Sequence, residues 1–161
     1  MDESPTIYKG RVNRDVLFTG NMAISRSIFK SVGGFDPTLG PGTRFPSAED
    51  NDFAFRLLEA GYQIIYEPKA VVYHRPWRSE ADYIKLYWHY GCGQGAFYAK
   101  YFDFRDRFMI KRFVRDVWAY LSRFPFRFFQ NRVQAYQDGL FVAGLLFGAL
   151  KWGLQSVNKQ L

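Results

Sequence analysis

YQIIYEPKAVVYH, residues 62–74, decides how the fold is read. Isoleucine, valine and tyrosine crowd both halves of it, and Pro68 sits in the middle. β-Branched and aromatic residues suit a pleated strand, whereas proline cannot donate a ladder hydrogen bond, so the stretch predicts two short strands broken at Pro68. Just upstream, a helical pattern over residues 48–60 stops at Gly61. Earlier still, VLFTGNMAIS (residues 16–25) is apolar but interrupted by Gly20-Asn21, which predicts a short strand, a turn and a second strand. SRSIFKSVGGF (residues 25–35) predicts a short helix capped by Ser25 and stopped at Gly33-Gly34. DPTLGPGTRFP (residues 36–46) is a loop, and residues 1–16 are a loop or an edge strand. Beyond residue 80 helical spacing dominates. Strands alternating with helices, then helices alone, predict an α/β domain over residues 1–78 and an α-helical extension over residues 79–161.

Size and charge fit that division. At 161 residues the chain is one domain or part of one, and a hydrophobic share of 48% excludes global disorder. Residues 1–99 hold eleven basic and eleven acidic side chains, whereas residues 100–161 hold eleven and four, so the whole excess of +7 lies in the second part. Aromatic residues make up 20% of the chain and are dense there too. A basic, aromatic segment calls for an anionic partner, either lipid head groups or nucleic acid. Cys92 is the only cysteine, which rules out an intrachain disulfide and fits a reducing, cytoplasmic compartment. The first thirty residues hold no long apolar run, so no signal peptide is expected.

The helix before YQIIYEPKAVVYH starts with three acids in FPSAEDNDFAFRLLEAGY, residues 45–62. Ser47 and Asp50 make an S-x-x-D capping pattern, and acids in a first turn complement the positive end of the helix dipole. On a wheel of about 100° per residue, Asp50 lies with Phe53, Ala54, Leu57 and Leu58, while Asp52, Arg56 and Glu59 lie opposite. Asp52 and Arg56 therefore predict a solvated i,i+4 ion pair. Asp50 falls on the apolar stripe, where a carboxylate must face a partner, a cap or a cleft. In a helix the Asp50 and Asp52 side chains diverge, so D-N-D is no chelate.

In order along residues 16–74 come G-N-x-A, a short helix ending V-G-G-F-D, a Gly/Pro loop, E-D at a helix start, R-L-x-x-x-G-Y and an apolar strand ending in His. This order resembles the C-terminal, acceptor-side half of a family-2 glycosyltransferase of GT-A fold. The resemblance implies a partial Rossmann-like α/β half with short mixed strands. It implies that Asp50 is the general base of an inverting transfer from a nucleotide sugar to a glycan or lipid-linked acceptor. It further implies that Glu49, Gly20 and Asn21 shape the substrate sites, and that His74 contributes to a divalent metal site for Mg2+ or Mn2+. Read on its own, His74 is a strand-end residue with a local hydrogen bond. A donor half with a D-x-D motif would have to come from elsewhere, such as a separate polypeptide, and the metal would come with it.

Two features of the extension stand apart. GCGQG (residues 91–95) is not a G-x-G-x-x-G loop, and with Tyr83, Tyr87 and Tyr90 leading in at helical spacing it predicts close helix packing. Residues 109–123 form an amphipathic helix, interrupted at Pro125, with Lys111, Arg112, Arg115 and Arg123 on one arc. That helix suits either an anionic membrane surface, peripheral at the inner face of the cell membrane, or packing on the domain with a solvated basic face. GLFVAGLLFGAL (residues 139–150) is too short to span a bilayer by itself and predicts shallow insertion or docking, with Gly144-x-x-x-Gly148 allowing close contact. An apolar tail of this kind has no use in nucleic-acid binding, which is not expected. The rival to the enzyme reading is a non-catalytic membrane-binding or interaction module.

Overall fold

The computed structural model describes residues 4–75 and 78–158. The order is β1 (Thr6–Tyr8), a single 3-10 turn (Thr19–Asn21), α1 (Arg26–Val32), α2 (Glu49–Glu59), β2 (Ile64–Tyr66), α3 (Glu80–Lys100), α4 (Arg107–Gln130) and α5 (Arg132–Asn158). The fold is mostly helical, about 60% of residues, with two short antiparallel strands. The expectation of an α/β, Rossmann-like half is therefore wrong. Residues 16–18 and 22–25 form no strand, and regular structure in YQIIYEPKAVVYH stops at Tyr66. The physical reason is the absence of neighbours: among the described residues β2 pairs only with β1, Thr6 opposite Tyr66 and Tyr8 opposite Ile64. Val71, Val72 and Tyr73 have strand-forming side chains but lie exposed with no ladder to join.

The chain divides into two compact units, residues 1–37 with 49–77, and residues 38–48 with 78–161. In the first, Ala54, Leu58 and Ile64 form a core with Tyr8, Val12, Val16 and Leu17. Phe53 is fully buried and meets the rings of Phe29 and Phe35 at 5.5 and 4.9 Å. The apolar stripe drawn from the wheel of α2 thus faces inward. α1 starts at Ser25, whose hydroxyl meets that of Ser27 and makes no capping bond, and ends at Gly33 with φ 83°.

The second unit is a three-helix assembly. α3 opens with a capping box, in which Ser79 and Asp82 exchange side-chain and backbone hydrogen bonds. α3 and α5 run parallel and touch backbone to backbone. A Cβ built on Gly91 or Gly95 would lie 2.1 or 2.0 Å from the carbonyl oxygens of Phe141 or Leu145. One on Gly144 or Gly148 would lie 2.5 or 2.0 Å from those of Trp88 or Cys92. GCGQG is helical and serves close packing, as its tyrosine spacing predicts.

α4 continues through Pro125, contrary to the break expected there. The proline removes one hydrogen bond, to the carbonyl four residues back. Pro125 lies on the exposed side of the helix, where water can take that carbonyl. The α4–α5 hairpin turns at Asn131, whose side chain accepts from the Gln134 amide. Arg127 holds the buried Asp138 with both carboxylate oxygens at 2.8 and 2.7 Å, and Tyr120 stacks on Phe141 at 4.3 Å. Residues 38–48 lie along α3 and α5. Phe45 is buried under Trp152, and the Lys151 ammonium donates to the Arg44 carbonyl.

Candidate functional site

The three acids at the start of α2 have three different surroundings. Asp52 is completely buried, not solvated as the wheel predicts. Its ion pair with Arg56 forms as expected, Nε to Oδ2 at 2.8 Å. Arg56 also donates from Nη1 to the Val32 carbonyl (2.9 Å) and from Nη2 to the Gly34 carbonyl (2.7 Å). It thereby meets the negative end of α1 and covers Asp52. A helical wheel registers which way a side chain points but not what comes to cover it.

Asp50 is half-buried at the first turn. Its Oδ1 accepts from the amide of Asn51 at 2.9 Å, and no cation pairs with it among the described residues. Burial first, then repulsion from Glu49, pushes its carboxyl from 3.8 up to about 6, with Asp15 adding a smaller repulsion. Asp15 lies in the segment expected to be a loop, and nothing in its sequence context signals that it bears on Asp50.

Ser47 does not complete a capping box with Asp50. Its hydroxyl donates to the carbonyls of His89 and Tyr90, at 3.0 and 3.1 Å, because residues 38–48 pack with the helical unit. Ala48, the residue between, takes φ 70° and is the one non-glycine with positive φ among the described residues. That conformation costs on the order of 1 kcal/mol and sits one residue before Glu49.

The other expected site residues are placed as follows. Gly20 and Asn21 lie exposed in the 3-10 turn, and a Cβ on Gly20 would meet nothing within 4 Å. The Asn21 side-chain amide donates to the Ala70 carbonyl at 2.7 Å, which ties the turn to the segment that carries His74. Glu49 is half-buried beside Asp50. His74 is exposed. Among the described residues no three of His, Cys, Asp and Glu come together in a metal-binding group. Nor does any hydrogen bond or ion pair join Asp50 to Gly20, Asn21 or His74 among the described residues.

Chemically, the arrangement offers one carboxylate, Asp50, raised towards neutral pH, on a helix whose buried Asp52 is locked in an ion pair. Comparison of the chain with family models, with curated proteins and with solved structures finds no match in any of the three.

Proposed function

We propose that the chain supplies the acceptor side of an inverting sugar transfer, with Asp50 as general base. The observation that carries this reading is the half-buried carboxyl of Asp50, raised to about 6 with no paired cation among the described residues, next to an acid of the same helix that is fully buried and paired. A base poised near the working pH, within reach of a hydroxyl, is what an alcohol nucleophile needs. In the proposed step the acceptor oxygen bonds to the anomeric carbon as its proton passes to Asp50. The bond from that carbon to the diphosphate breaks, and the nucleoside diphosphate leaves with the electron pair. Glu49 borders the acceptor, and the Gly20-Asn21 turn lines the same side.

The order of short motifs over residues 16–74 supports the same reading. The nucleotide sugar, and any divalent cation on its diphosphate, would be held by a donor half supplied by another segment or polypeptide. Phe18, Ile65, Val71, Val72 and Tyr73, all exposed in the first unit, offer that half an apolar seat.

The test is release of nucleoside diphosphate by the full chain, alone and with a donor-half polypeptide, across a panel of nucleotide sugars and a lipid-linked acceptor. Release that Asp50→Asn abolishes, with the far-ultraviolet dichroism unchanged, is the expected result. Release that survives Asp50→Asn, or no release in any combination, overturns the proposal.

A further inference from the structure

The helical unit leaves two long apolar faces uncovered. On α5, exposed apolar residues recur at helical spacing, Tyr136, Ala143, Leu146, Leu150 and Leu154, with Phe147 at the edge against Trp88 of α3. This stripe contains no charged side chain and is roughly 27 Å long from the helical rise. The helix is long and apolar enough to cross a membrane by length and composition, and 28% of its most apolar window is buried. On α4 the outward arc holds Val114, Trp118, Leu121, Pro125 and Phe129, with Trp118 70% and Phe129 87% exposed. Leaving such surface in water is costly, and patches of this extent mark interaction sites.

Charge identifies the occupant. Lys111 lies in line with the α4 stripe, and Arg123 and Arg132 are exposed towards the hairpin end. Two acids of the unit are engaged within it: Arg127 holds the buried Asp138, and Asp116 meets the Tyr98 hydroxyl and Arg115. Lys111, Arg123 and Arg132 stay exposed, and the Arg132 guanidinium lies 5.8 Å from the Phe128 centroid. Aromatic side chains at an interface, cations at its edge and an uncharged stripe between them match the layers of one leaflet: glycerol region, head groups and acyl chains. A protein partner of similar extent would be met by about one hydrogen bond per 100–200 Å2, and the α5 stripe has only the Tyr136 hydroxyl to offer. His89, Asp82 and Lys85, exposed on α3, keep that helix out of the hydrocarbon.

From these faces we infer that the helical unit is a monotopic membrane anchor, which lays the outer faces of α4 and α5 into one leaflet and holds anionic head groups with Lys111, Arg123 and Arg132. The anchor stands whether or not Asp50 transfers a sugar, because its test reads partitioning alone.

The experiment is flotation of the full chain with vesicles of phosphatidylcholine, with and without phosphatidylglycerol, followed in parallel by Trp fluorescence. Binding is expected to the anionic vesicles and to fall with salt. Replacing Lys111, Arg123 and Arg132 together by Gln is expected to weaken it about a hundredfold, at about fivefold per cation. Leu146→Glu with Leu150→Glu removes it while the helical dichroism is kept, since both side chains are exposed. No partitioning to either vesicle, or partitioning unchanged in the Glu variant, overturns the inference. So does a stable dimer that the Glu variant dissociates, which would assign the stripe to a second copy of the chain.

Discussion

Asp50→Asn separates a helix start from a poised base by the sign of a stability change. If Asp50 serves α2 as an N-terminal acid, removing its charge at pH 7.5 costs about 0.5–1 kcal/mol. The surroundings of Asp50 predict the opposite. A folded-state carboxyl raised from 3.8 to about 6 means that the native state binds the proton more tightly than the unfolded chain does. The protonated form is thus favoured by folding. This contribution is fully present below 3.8 and is lost as the pH rises through 6. Two units correspond to about 3 kcal/mol, and allowing for the solvent that reaches a half-buried group leaves about 1–2 kcal/mol. Asn keeps the side-chain oxygen that accepts from the Asn51 amide and removes the repulsion from Glu49. The variant should therefore be more stable than the parent by about 1–2 kcal/mol at pH 7.5 and nearly equal to it at pH 3.5. Urea unfolding of both proteins at the two pH values measures this, with the Asp50 carboxyl followed by NMR titration. A destabilised variant at pH 7.5, or a midpoint near 3.8, refutes the reasoning and returns Asp50 to the role of a cap.

Three further outcomes follow from the packing. Arg56→Met strands the fully buried Asp52 without its cation and should destabilise the first unit by about 3–5 kcal/mol in denaturant unfolding, while Glu59→Gln, which loses only an exposed pair with Arg11, should cost under about 1 kcal/mol. Gly148→Ala drives a methyl into the Cys92 carbonyl and should cost about 1–3 kcal/mol in thermal unfolding, whereas Gly153→Ala, with nothing in its way, should gain about 1 kcal/mol from helix propensity. Ser79→Ala removes the capping box of α3 and should cost about 1 kcal/mol by the same measurement.

What the sequence discloses here depends on whether a signal is local. Helical periodicity beyond residue 80 is local, and the chain there is helical, although α4 continues past Pro125, where a break is expected. The glycines of residues 91–95 and the Gly144-x-x-x-Gly148 pair are legible as contact points for the same reason. A strand is not local. Residues 62–74 have the composition of two strands, but a strand exists only when another lies beside it, and β1 offers three residues. The acids of α2 fall between these cases. The wheel places Phe53, Ala54, Leu57 and Leu58 inward and singles out Asp50. It turns Asp52 to solvent, because nothing in its spacing foretells that Arg56 folds back over it to reach the carbonyls of Val32 and Gly34. Ser47 is misassigned for a similar reason: its hydroxyl serves carbonyls 42 and 43 residues away.

The close approach of α3 and α5 also gives the protein a built-in clock. Cys92 lies in the seam, its own carbonyl against Gly148, and burial pushes its thiol above the ordinary range. A thiol that is both covered and protonated reacts with an alkylating reagent only while the seam is open. It is also the chain's only cysteine, so every modified molecule reports the same event. The rate of labelling in excess reagent then reads how often the two helices part, without an engineered label, and at low reagent the ratio to the rate in denaturant gives the free energy of that opening.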